Sequence, residues 1–332
     1  MSTATVSRVV HDQVTVRAAT RRRVLDVIEA LGYVPDAAAQ SMATQRKEVV
    51  GFLAVENRSS DTDVEQGGLL FIEEVLRGIE AVLSEIEWSV LISLPHGNDP
   101  SAAGRRMRKI SAKVDGMIIS EGIVAQPLLT RLANRIPVVL VAGPADVTLD
   151  VCSADNRGGT RALVAHLVEV HGKKRLFSID GPPEAPDAVE RRTALLEAVA
   201  EYPGVTLTGS FQGRFATLSG QLAARAVGSL PRRDMPDALV CANDQMAIGT
   251  IRELKQAGFR VPDDIAVVGF DDMQGGTLIS PALTTVRQPM RLLGERACAR
   301  LLRRIADPSL ERQVERLPTA LVIRESCGCS SR

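Results

Sequence analysis

The feature that most constrains the fold of this chain is a repeated alternation of short apolar segments with longer amphipathic ones. From residue 48 onward, each short apolar run is followed by a segment in which apolar residues recur at helical spacing. This alternation is typical of parallel β-sheets covered by helices, so we predict an α/β fold. The predicted strands are 49–55, 89–94, 116–119, 138–141, 176–179, 205–209, 238–241 and 265–269.

These strands fall into two series of four, each too short for one large sheet, so we predict two similar lobes. The predicted helices include 71–85, 157–170, 188–201, 218–228 and 245–257. A mixed pattern near the carboxyl end is predicted to return the chain to the first lobe, over 283–286, 290–306 and 320–324. Two lobes joined by several crossovers form a hinged cleft, with ligands at the carboxyl ends of the strands.

The amino-terminal residues predict a short helix with two different faces. Ser2 is able to cap it, and Val6, Val9 and Val10 fall on one apolar stripe. Such a helix can lie in a DNA major groove, with Arg8 reaching a guanine edge, but ordinary packing explains the same pattern. The opposite face carries small or polar groups and one guanidinium, namely Thr3, Ala4, Ser7, Arg8 and His11.

A second helix is predicted over 18–31, and Gly32 stands where a helix stop is expected. A short alanine-rich run over 37–43 follows, and Asp36 is able to cap it. Residues 1–47 carry seven basic and four acidic residues, a net charge of +3, whereas the whole chain has 40 of each. The basic excess therefore lies at the amino terminus, where it favours contact with a polyanion.

This succession resembles the headpiece of the lactose/galactose-repressor family of bacterial transcription regulators. The matching headpiece residues are 5–10, Thr20 and Arg21 with Val24, 31–33 with Pro35, and 39–43. Later segments resemble the sensor part of the same family, in order along the chain: 76–80, 114–119, 242–249, 267–272, 283–289 and 324–329. The resemblance therefore covers nearly the whole chain.

The resemblance implies a two-lobed periplasmic-binding-protein-like sensor with a small all-α helix-turn-helix headpiece. The implied domains are a headpiece and hinge helix over 1–47 and an effector-binding and dimerisation domain over 48–332. We place the N-terminal lobe at about 48–150 plus 287–306, and the C-terminal lobe at about 151–286 plus 310–326. The family pattern has a further helix before the recognition helix, and Met1 stands where a turn valine is expected. We expect a start assigned at an internal valine codon rather than a chain that lacks this helix.

The resemblance also implies a homodimer that reads a pseudo-palindromic operator, with pairing of dimers into a tetramer left open. Thr3, Ala4 and Arg8 would face bases, and the expected phosphate contacts are Ser2, Thr5, Ser7 and His11. The hinge helix would enter the minor groove with Ala39 and the apolar wedge Met42. Asp36 replaces the asparagine usual in the family.

Two polar residues directly follow predicted strands of the second lobe. Asn243 follows 238–241 and Asp271 follows 265–269, so both are expected at the sheet edge where ligands bind. An amide and a carboxylate there can each bind sugar hydroxyls, although a helix cap and a turn explain the same residues. The resemblance implies that both contact the effector. It adds four further effector-site residues: Asp155, Arg191, Phe215 and Gln288. Phe71, in the loop that enters the first sensor helix, is a further candidate, because aromatic residues are scarce and its ring could stack against a sugar face.

We find no catalytic motif, and we predict that the chain is not an enzyme and binds no cofactor. The four histidines have no evident nucleophile partners, and no phosphate-binding glycine loop occurs. Cys152 and Cys241 are predicted to be buried thiols. Cys327 and Cys329 form a close pair without a second pair, so no metal site is predicted. Because there is neither an apolar run of ~18 residues nor a secretion signal, we expect a cytoplasmic protein.

We therefore predict a ligand-responsive transcription regulator, a repressor of a carbohydrate-utilisation operon with a sugar in the interlobe cleft. Two alternatives stay open. A truncated headpiece would leave a sugar sensor that does not bind DNA. A solute-binding protein for uptake would share the lobes, but it needs a secretion signal and has no use for a headpiece.

Overall fold

The computed structural model describes residues 2–10, 16–33, 46–54, 69–95, 100–120, 122, 124–143 and 148–330. These residues form two α/β lobes and part of a helical headpiece. In the described ranges, no helix is both long and apolar enough to cross a bilayer.

The helices and strands alternate along the chain as predicted. The helices are α1 (Thr3–Val10), α2 (Ala18–Leu31), α3 (Leu69–Ser84), α4 (Pro100–Ser111), α5 (Gln126–Ala133), α6 (Asn156–Ala165), α7 (Pro186–Ala200), α8 (Thr217–Gly228), α9 (Asp244–Gln256), α10 (Gly275–Leu278) and α11 (Met290–Ala306). A π-helical turn (His166–Val170) follows α6, and a 3₁₀ turn (Arg232–Asp234) follows α8. The strands are β1 (Val49–Leu53), β2 (Ser89–Ser93), β3 (Gly116–Ser120), β4 (Val138–Val141), β5 (Asp150–Ala154), β6 (Arg175–Asp180), β7 (Thr206–Gln212), β8 (Ala238–Cys241), β9 (Ala266–Val268), β10 (Thr285–Arg287), β11 (Val314–Leu317) and β12 (Ala320–Val322).

The N-terminal lobe is a parallel sheet with helices on both faces. Its six strands lie in the order β11-β5-β4-β3-β1-β2, and every pairing is parallel. Helices α3 and α11 cover one face, and α4 and α5 cover the other, so that each face has its own apolar core. Strands β1, β3 and β4 are buried on both faces, which explains why they are apolar along most of their length rather than alternating with polar residues.

The C-terminal lobe repeats this arrangement with four parallel strands in the order β7-β6-β8-β9. Helices α6 and α7 cover one face, and α8 and α9 cover the other. The antiparallel pair β10 and β12 packs beside α6. The predicted fold class of two parallel sheets flanked by helices is therefore confirmed.

The lobe boundaries differ in two places from those predicted. Strand β5 runs to Ala154 within the first sheet, beyond the predicted boundary at 150. Strand β11 also joins that sheet beside β5, although 310–326 was assigned to the C-terminal lobe. The chain thus crosses between the lobes near residues 155, 288 and 318. Two of these crossings touch, because the Asp155 N–H donates to the Leu317 carbonyl at 2.8 Å.

Two helices of the N-terminal lobe approach each other closely through small residues. A Cβ on Gly78 of α3 would lie 2.0 Å from the Arg291 carbonyl oxygen, and one on Gly294 of α11 would lie 2.0 Å from that of Val75. Only glycine fits at either position. Through this contact α11 packs on the N-terminal lobe, so the chain returns to that lobe as predicted. The bounds of α11, 290–306, were also predicted correctly.

The described part of the headpiece consists of α1 and α2. The Thr5 N–H donates to Ser2 Oγ at 3.2 Å, so Ser2 caps α1 as predicted. The two helices are in contact, and Val9 and Val24 are each buried. Gly32 ends α2 with a φ of 58°, as its position predicted.

Candidate effector site and DNA-binding surface

A buried arginine organises a polar cluster at the carboxyl ends of the C-terminal lobe strands. Arg191, on the first half of α7, is only 6% exposed. Its Nε donates to Asn156 Oδ1 at 2.8 Å, and its Nη1 donates to the Ala242 carbonyl at 2.6 Å. The guanidinium carbon lies 3.8 Å from the centroid of the Phe270 ring, a cation–π contact. The guanidinium is therefore held by contacts from several different parts of the lobe.

Two carboxyl groups lie beside this cation. Asp271 Oδ1 lies 3.6 Å from Arg191 Nη1, and Asp187 Oδ2 lies 3.8 Å from Nη2. The Asn156 amide donates to Asp187 at 2.9 Å and to Glu190 at 3.0 Å. Glu190 has a cation of its own, because its Oε1 lies 3.2 Å from Arg316 Nη1. Arg191 is thus shared by Asp187 and Asp271, which favours protonation of one of them.

Burial is the main cause of the pKa shifts in this cluster. Burial raises the pKa of Asp271 to about 8, against the opposing effect of Arg191 and with a further rise from Asp244. Burial also raises the pKa of Asp187, again opposed by Arg191. A ligand that donates hydrogen bonds to these oxygens would favour their charged form. The cluster is therefore suited to a neutral ligand that is rich in hydroxyl groups.

The backbone after β9 is strained where the predicted effector residue lies. Asp271 has a φ of 132° and Asp272 a φ of 61°, both unusual for residues with side chains. Gln288 Nε2 donates to Asp271 Oδ1 at 2.5 Å, and the buried Gln288 Oε1 has no hydrogen-bond partner. Strained backbone and an unsatisfied buried acceptor are both typical of ligand sites. Of the seven predicted effector residues, Arg191, Asp271 and Gln288 thus lie in one contiguous group.

Asn243 and Phe215 form a second group beside the first. Asn243 Oδ1 accepts from the Met246 N–H at 3.0 Å, so it caps α9, and its Nδ2 donates to the Phe215 carbonyl at 3.1 Å. Phe215 has a φ of 61°, and its ring packs against Gly181. The adjacent Ala242 carbonyl connects this group to Arg191. Asn243 is therefore a helix cap, and the effector role of both residues stays a prediction.

The remaining two predicted effector residues have structural roles that explain their position. Asp155 Oδ1 accepts from the Gly158 N–H at 2.9 Å and caps α6. Phe71 lies within α3, not in a loop before it, and packs against the apolar core of the N-terminal lobe. Neither side chain has a described contact with the cluster around Arg191, and their effector roles stay predictions.

Sequence analysis missed two members of the cluster. Asn156 is fully buried and connects Arg191 to both Asp187 and Glu190, yet only its neighbour Asp155 was singled out. Asp187 follows the proline that begins α7 and faces Arg191 one helical turn later. That i, i+4 spacing was the available signal, but acidic residues are common in the first turn of any helix.

The predicted DNA-contacting residues are only partly described. Arg8 is exposed in the last turn of α1, and Ser2 and Thr5 lie at its start, where their hydroxyls are 2.9 Å apart. Thr3, Ala4 and Ser7 also belong to α1. The other three predicted contacts lie outside the described residues, namely His11, Ala39 and Met42. The DNA-binding role of this whole set stays a prediction.

Comparison with known proteins agrees with this architecture. The sequence model of the bacterial regulatory proteins of the lacI family matches residues 1–36, and that of a periplasmic binding protein-like domain matches 164–327. The chain is 30% identical over 331 residues to the HTH-type transcriptional repressor PurR of Photobacterium profundum, covering 98% of this chain and 95% of the relative. It is 29% identical to PurR of Aliivibrio fischeri (strain MJ11), with the same coverage.

Two solved structures share the fold over almost the whole chain. The lac repressor dimer bound to operator and the anti-inducer ONPF has a TM-score of 0.86 at 25% identity, covering 98% of this chain and 96% of that one. The complex of the transcriptional regulator CelR with cellobiose has a TM-score of 0.73 at 29% identity and the same coverage. The architecture is therefore that of a two-lobed periplasmic-binding-protein-like sensor with a helix-turn-helix headpiece. The chain belongs to the lacI family of bacterial transcription regulators.

Proposed function

We propose that this chain is a repressor that binds operator DNA through its headpiece and responds to a small polar effector in the interlobe cleft. This proposal rests on one observation, which is that a headpiece and a sensor domain occur in the same chain. A headpiece matched by the lacI-family model at 1–36 precedes a two-lobed domain with a buried polar cluster at its strand ends. The similar PurR repressor matches this chain over 95% of its own length. Such a repressor acts in the cytoplasm, where operator DNA is found.

The DNA-binding part of the proposal depends on α1. This helix presents an exposed guanidinium at Arg8 and a capped amino end at Ser2. A helix amino end supports phosphate binding, and arginine is the side chain that most often reads guanine. We propose two such headpieces on a homodimer, since the lac repressor with a similar fold is a dimer on its operator. A pseudo-palindromic operator would match that two-fold symmetry.

The first test concerns sequence reading by Arg8. We expect Arg8→Ala to weaken binding to DNA from upstream of the gene by about 1–3 kcal/mol and to relax specificity at one base pair. The matched control is Arg22→Ala on α2, an exposed arginine expected to act only on phosphate. That variant should weaken all sequences equally and reduce the salt dependence. Gel shifts with the site and with single-base variants measure both effects; uniform weakening by Arg8→Ala would make Arg8 a phosphate contact.

We propose that the effector is a sugar and that the chain represses a carbohydrate-utilisation operon. Carboxylates, an amide oxygen without a partner and a neighbouring aromatic ring are the groups that bind hydroxyls and sugar faces. A regulator 29% identical to this chain is known with cellobiose bound. Closure of the lobes on the sugar would shift the equilibrium between two states of the dimer, provided that the sugar binds one state more tightly.

The second test measures sugar binding by thermal stability. A panel of monosaccharides and disaccharides that includes cellobiose should contain a member that raises the Tm of the wild-type chain by mass action. Asp271→Asn removes the carboxyl group whose charged form would accept from the bound sugar, an interaction worth about 1.5–3 kcal/mol, and should weaken binding of that sugar about tenfold to hundredfold. Asp263→Asn, at an exposed position of the same lobe, is the matched control and should respond as the wild type does. An equal response of Asp271→Asn would remove Asp271 from the site.

A further inference from the structure

Four side chains with metal-binding atoms meet on the C-terminal lobe, away from the cluster around Arg191. They are His166, His171, Cys327 and Cys329, and their ligand atoms all lie within 4.8 Å of one another. His166 and Cys327 are buried, and His171 and Cys329 are half-buried. Because no second pair of ligands is evident in the sequence, no metal site was predicted there. The fold supplies the second pair from a segment more than 150 residues earlier, which corrects the premise of that prediction.

The two histidines face the same way because of a local change of helix type. At about 3.6 residues per turn, residues five apart in an α-helix point in directions about 140° apart. The chain instead widens into a π-helical turn over His166–Val170, where hydrogen bonds join residues five apart. As a result, His166 Nε2 and His171 Nε2 lie only 3.3 Å apart, with their rings nearly perpendicular at 80°. Such π turns occur often at functional sites.

The two cysteines are brought to these imidazoles by a tight turn. Gly328 between them has a φ of 112°, a conformation that L-residues rarely adopt. A Cβ at this position would lie 3.2 Å from His171 Nδ1, so glycine also leaves room for the ring. Cys327 Sγ lies 3.4 Å from His166 Nε2, and Cys329 Sγ lies 3.4 Å from His171 Nε2 and 3.7 Å from His166 Nε2.

These four separations match four of the six edges of a coordination tetrahedron. With zinc bonds of about 2.3 Å to sulfur and about 2.0 Å to nitrogen, a tetrahedral site places two nitrogens about 3.3 Å apart and nitrogen and sulfur about 3.5 Å apart. The spacing of the histidines, with four residues between them, also lies within the range of zinc sites. In addition, the Thr284 hydroxyl donates to Cys327 Sγ at 3.1 Å, as outer partners of metal ligands do.

Neither a catalytic pair nor ordinary hydrogen bonding accounts for the whole of this geometry. A cysteine–histidine nucleophile pair needs access for a substrate, but Cys327 is fully buried and His166 is 7% exposed. The half-buried pair of Cys329 and His171 would leave the position of these two buried side chains unexplained. Hydrogen bonds account for each pair of atoms separately, for example a Cys327 thiol that donates to the Arg324 carbonyl at 3.4 Å. They give no reason for two imidazole nitrogens and two sulfurs to converge on one point.

We propose that these four side chains form a structural Cys₂His₂ zinc site. The thiolates and neutral imidazoles supply the soft and borderline donors that select zinc, and four protein ligands leave no open position for catalysis. The ion would join the carboxyl-terminal segment after β12 to the end of the helix that follows β5. The site is independent of the proposed effector and of DNA binding.

The test uses the full chain purified without a polyhistidine tag. Elemental analysis is expected to find about one zinc per chain in the wild type. Cys329→Ala and His171→Ala should each weaken zinc binding at least about tenfold to hundredfold in competition with a chromogenic chelator. Cys298→Ala, which removes a buried thiol of the N-terminal lobe, is the matched control and should keep its zinc. Cobalt in place of zinc should give the thiolate charge-transfer and intense d–d bands of a tetrahedral site.

A second measurement uses only the wild-type chain, so it does not require the variants to fold. Stripping the wild-type chain with a chelator should lower its Tm, and adding Zn²⁺ should restore it. A wild-type chain that takes up no zinc overturns the proposal. So does uptake that Cys329→Ala and His171→Ala leave unchanged, or a loss in the Cys298→Ala control equal to theirs.

Discussion

Replacing Arg191 by methionine is expected to destabilise the C-terminal lobe by about 2–5 kcal/mol, because two buried acceptors, Asn156 Oδ1 and the Ala242 carbonyl, lose their donor at about 1–3 kcal/mol each. The apolar side chain has similar length but no donors. Asp187 and Asp271 would lose their shared cation, and the carbonyl of Ala242 would lose its hydrogen bond. The contact of the guanidinium with the Phe270 ring would be lost as well. Denaturation monitored by circular dichroism measures the loss, and any sugar response found in the thermal screen should disappear with it.

The neighbouring Arg192 provides a matched control on the same helix. Its side chain is 30% exposed, lies 3.6 Å from Asp180 and leaves Nη1 without a hydrogen bond. A partly exposed pair of this kind contributes about 0–1 kcal/mol, so Arg192→Met should be nearly neutral. Equal effects of the two substitutions would contradict the central role that we assign to Arg191. Sequence analysis favoured Arg191 over its neighbour only through the family resemblance, whereas burial and contacts now separate them.

Most of the fold could be predicted because strands β1, β3, β4, β8 and β9 are buried on both faces. Such strands are continuous apolar runs, and all eight predicted ones have counterparts among β1–β4 and β6–β9. The predicted mixed pattern over 283–286 and 320–324 contains β10 and β12. The two strands without a predicted counterpart, β5 and β11, lie together at one edge of the first sheet. Strand β5 begins with the acidic Asp150, and β11 has the mixed sequence Val-Glu-Arg-Leu, so neither gives an apolar run. Their polar residues gave no strand pattern in the sequence. Because β5 and β11 were not predicted, the predicted lobe boundaries were misplaced.

The candidate sites were predictable to different degrees for a physical reason. Asn243 and Asp271 directly follow apolar strands, so local sequence places them at the ligand-binding edge of a parallel sheet. Asn156 and Asp187 are recognisable only after α6 and α7 have packed together around Arg191. The histidine and cysteine cluster is harder still, because it needs a π turn and a contact across more than 150 residues. Neither the π turn nor the long-range contact produces a periodic pattern in the sequence.

The sheet edge formed by β5 and β11, which was not predicted, is organised by a second buried ionic cluster. Asp150 is fully buried and accepts from Arg300 Nε at 2.8 Å and from Arg304 Nε at 2.9 Å. The N–H of Gln313 donates to the same carboxylate at 2.9 Å. Arg304 also donates to the carbonyl of Glu311 at 3.0 Å. One carboxylate thus connects the start of β5, the end of α11 and the loop that leads into β11.

Asp150→Asn is therefore expected to destabilise the N-terminal lobe by about 3–5 kcal/mol, since it leaves two buried guanidinium groups without a counter-charge. Arg296→Ala on the same helix is the control, because its pairing with Glu315 at 3.6 Å is exposed and should contribute less than about 1 kcal/mol. Adding Arg300→Met to Asp150→Asn should cost less than the sum of the two single substitutions, by about 0.5–3 kcal/mol, because the carboxylate and the guanidinium are coupled. Urea unfolding of the four variants measures these differences. Additive effects would mean that Asp150 acts only through the N–H of Gln313, and that the arginines hold the loop independently of it.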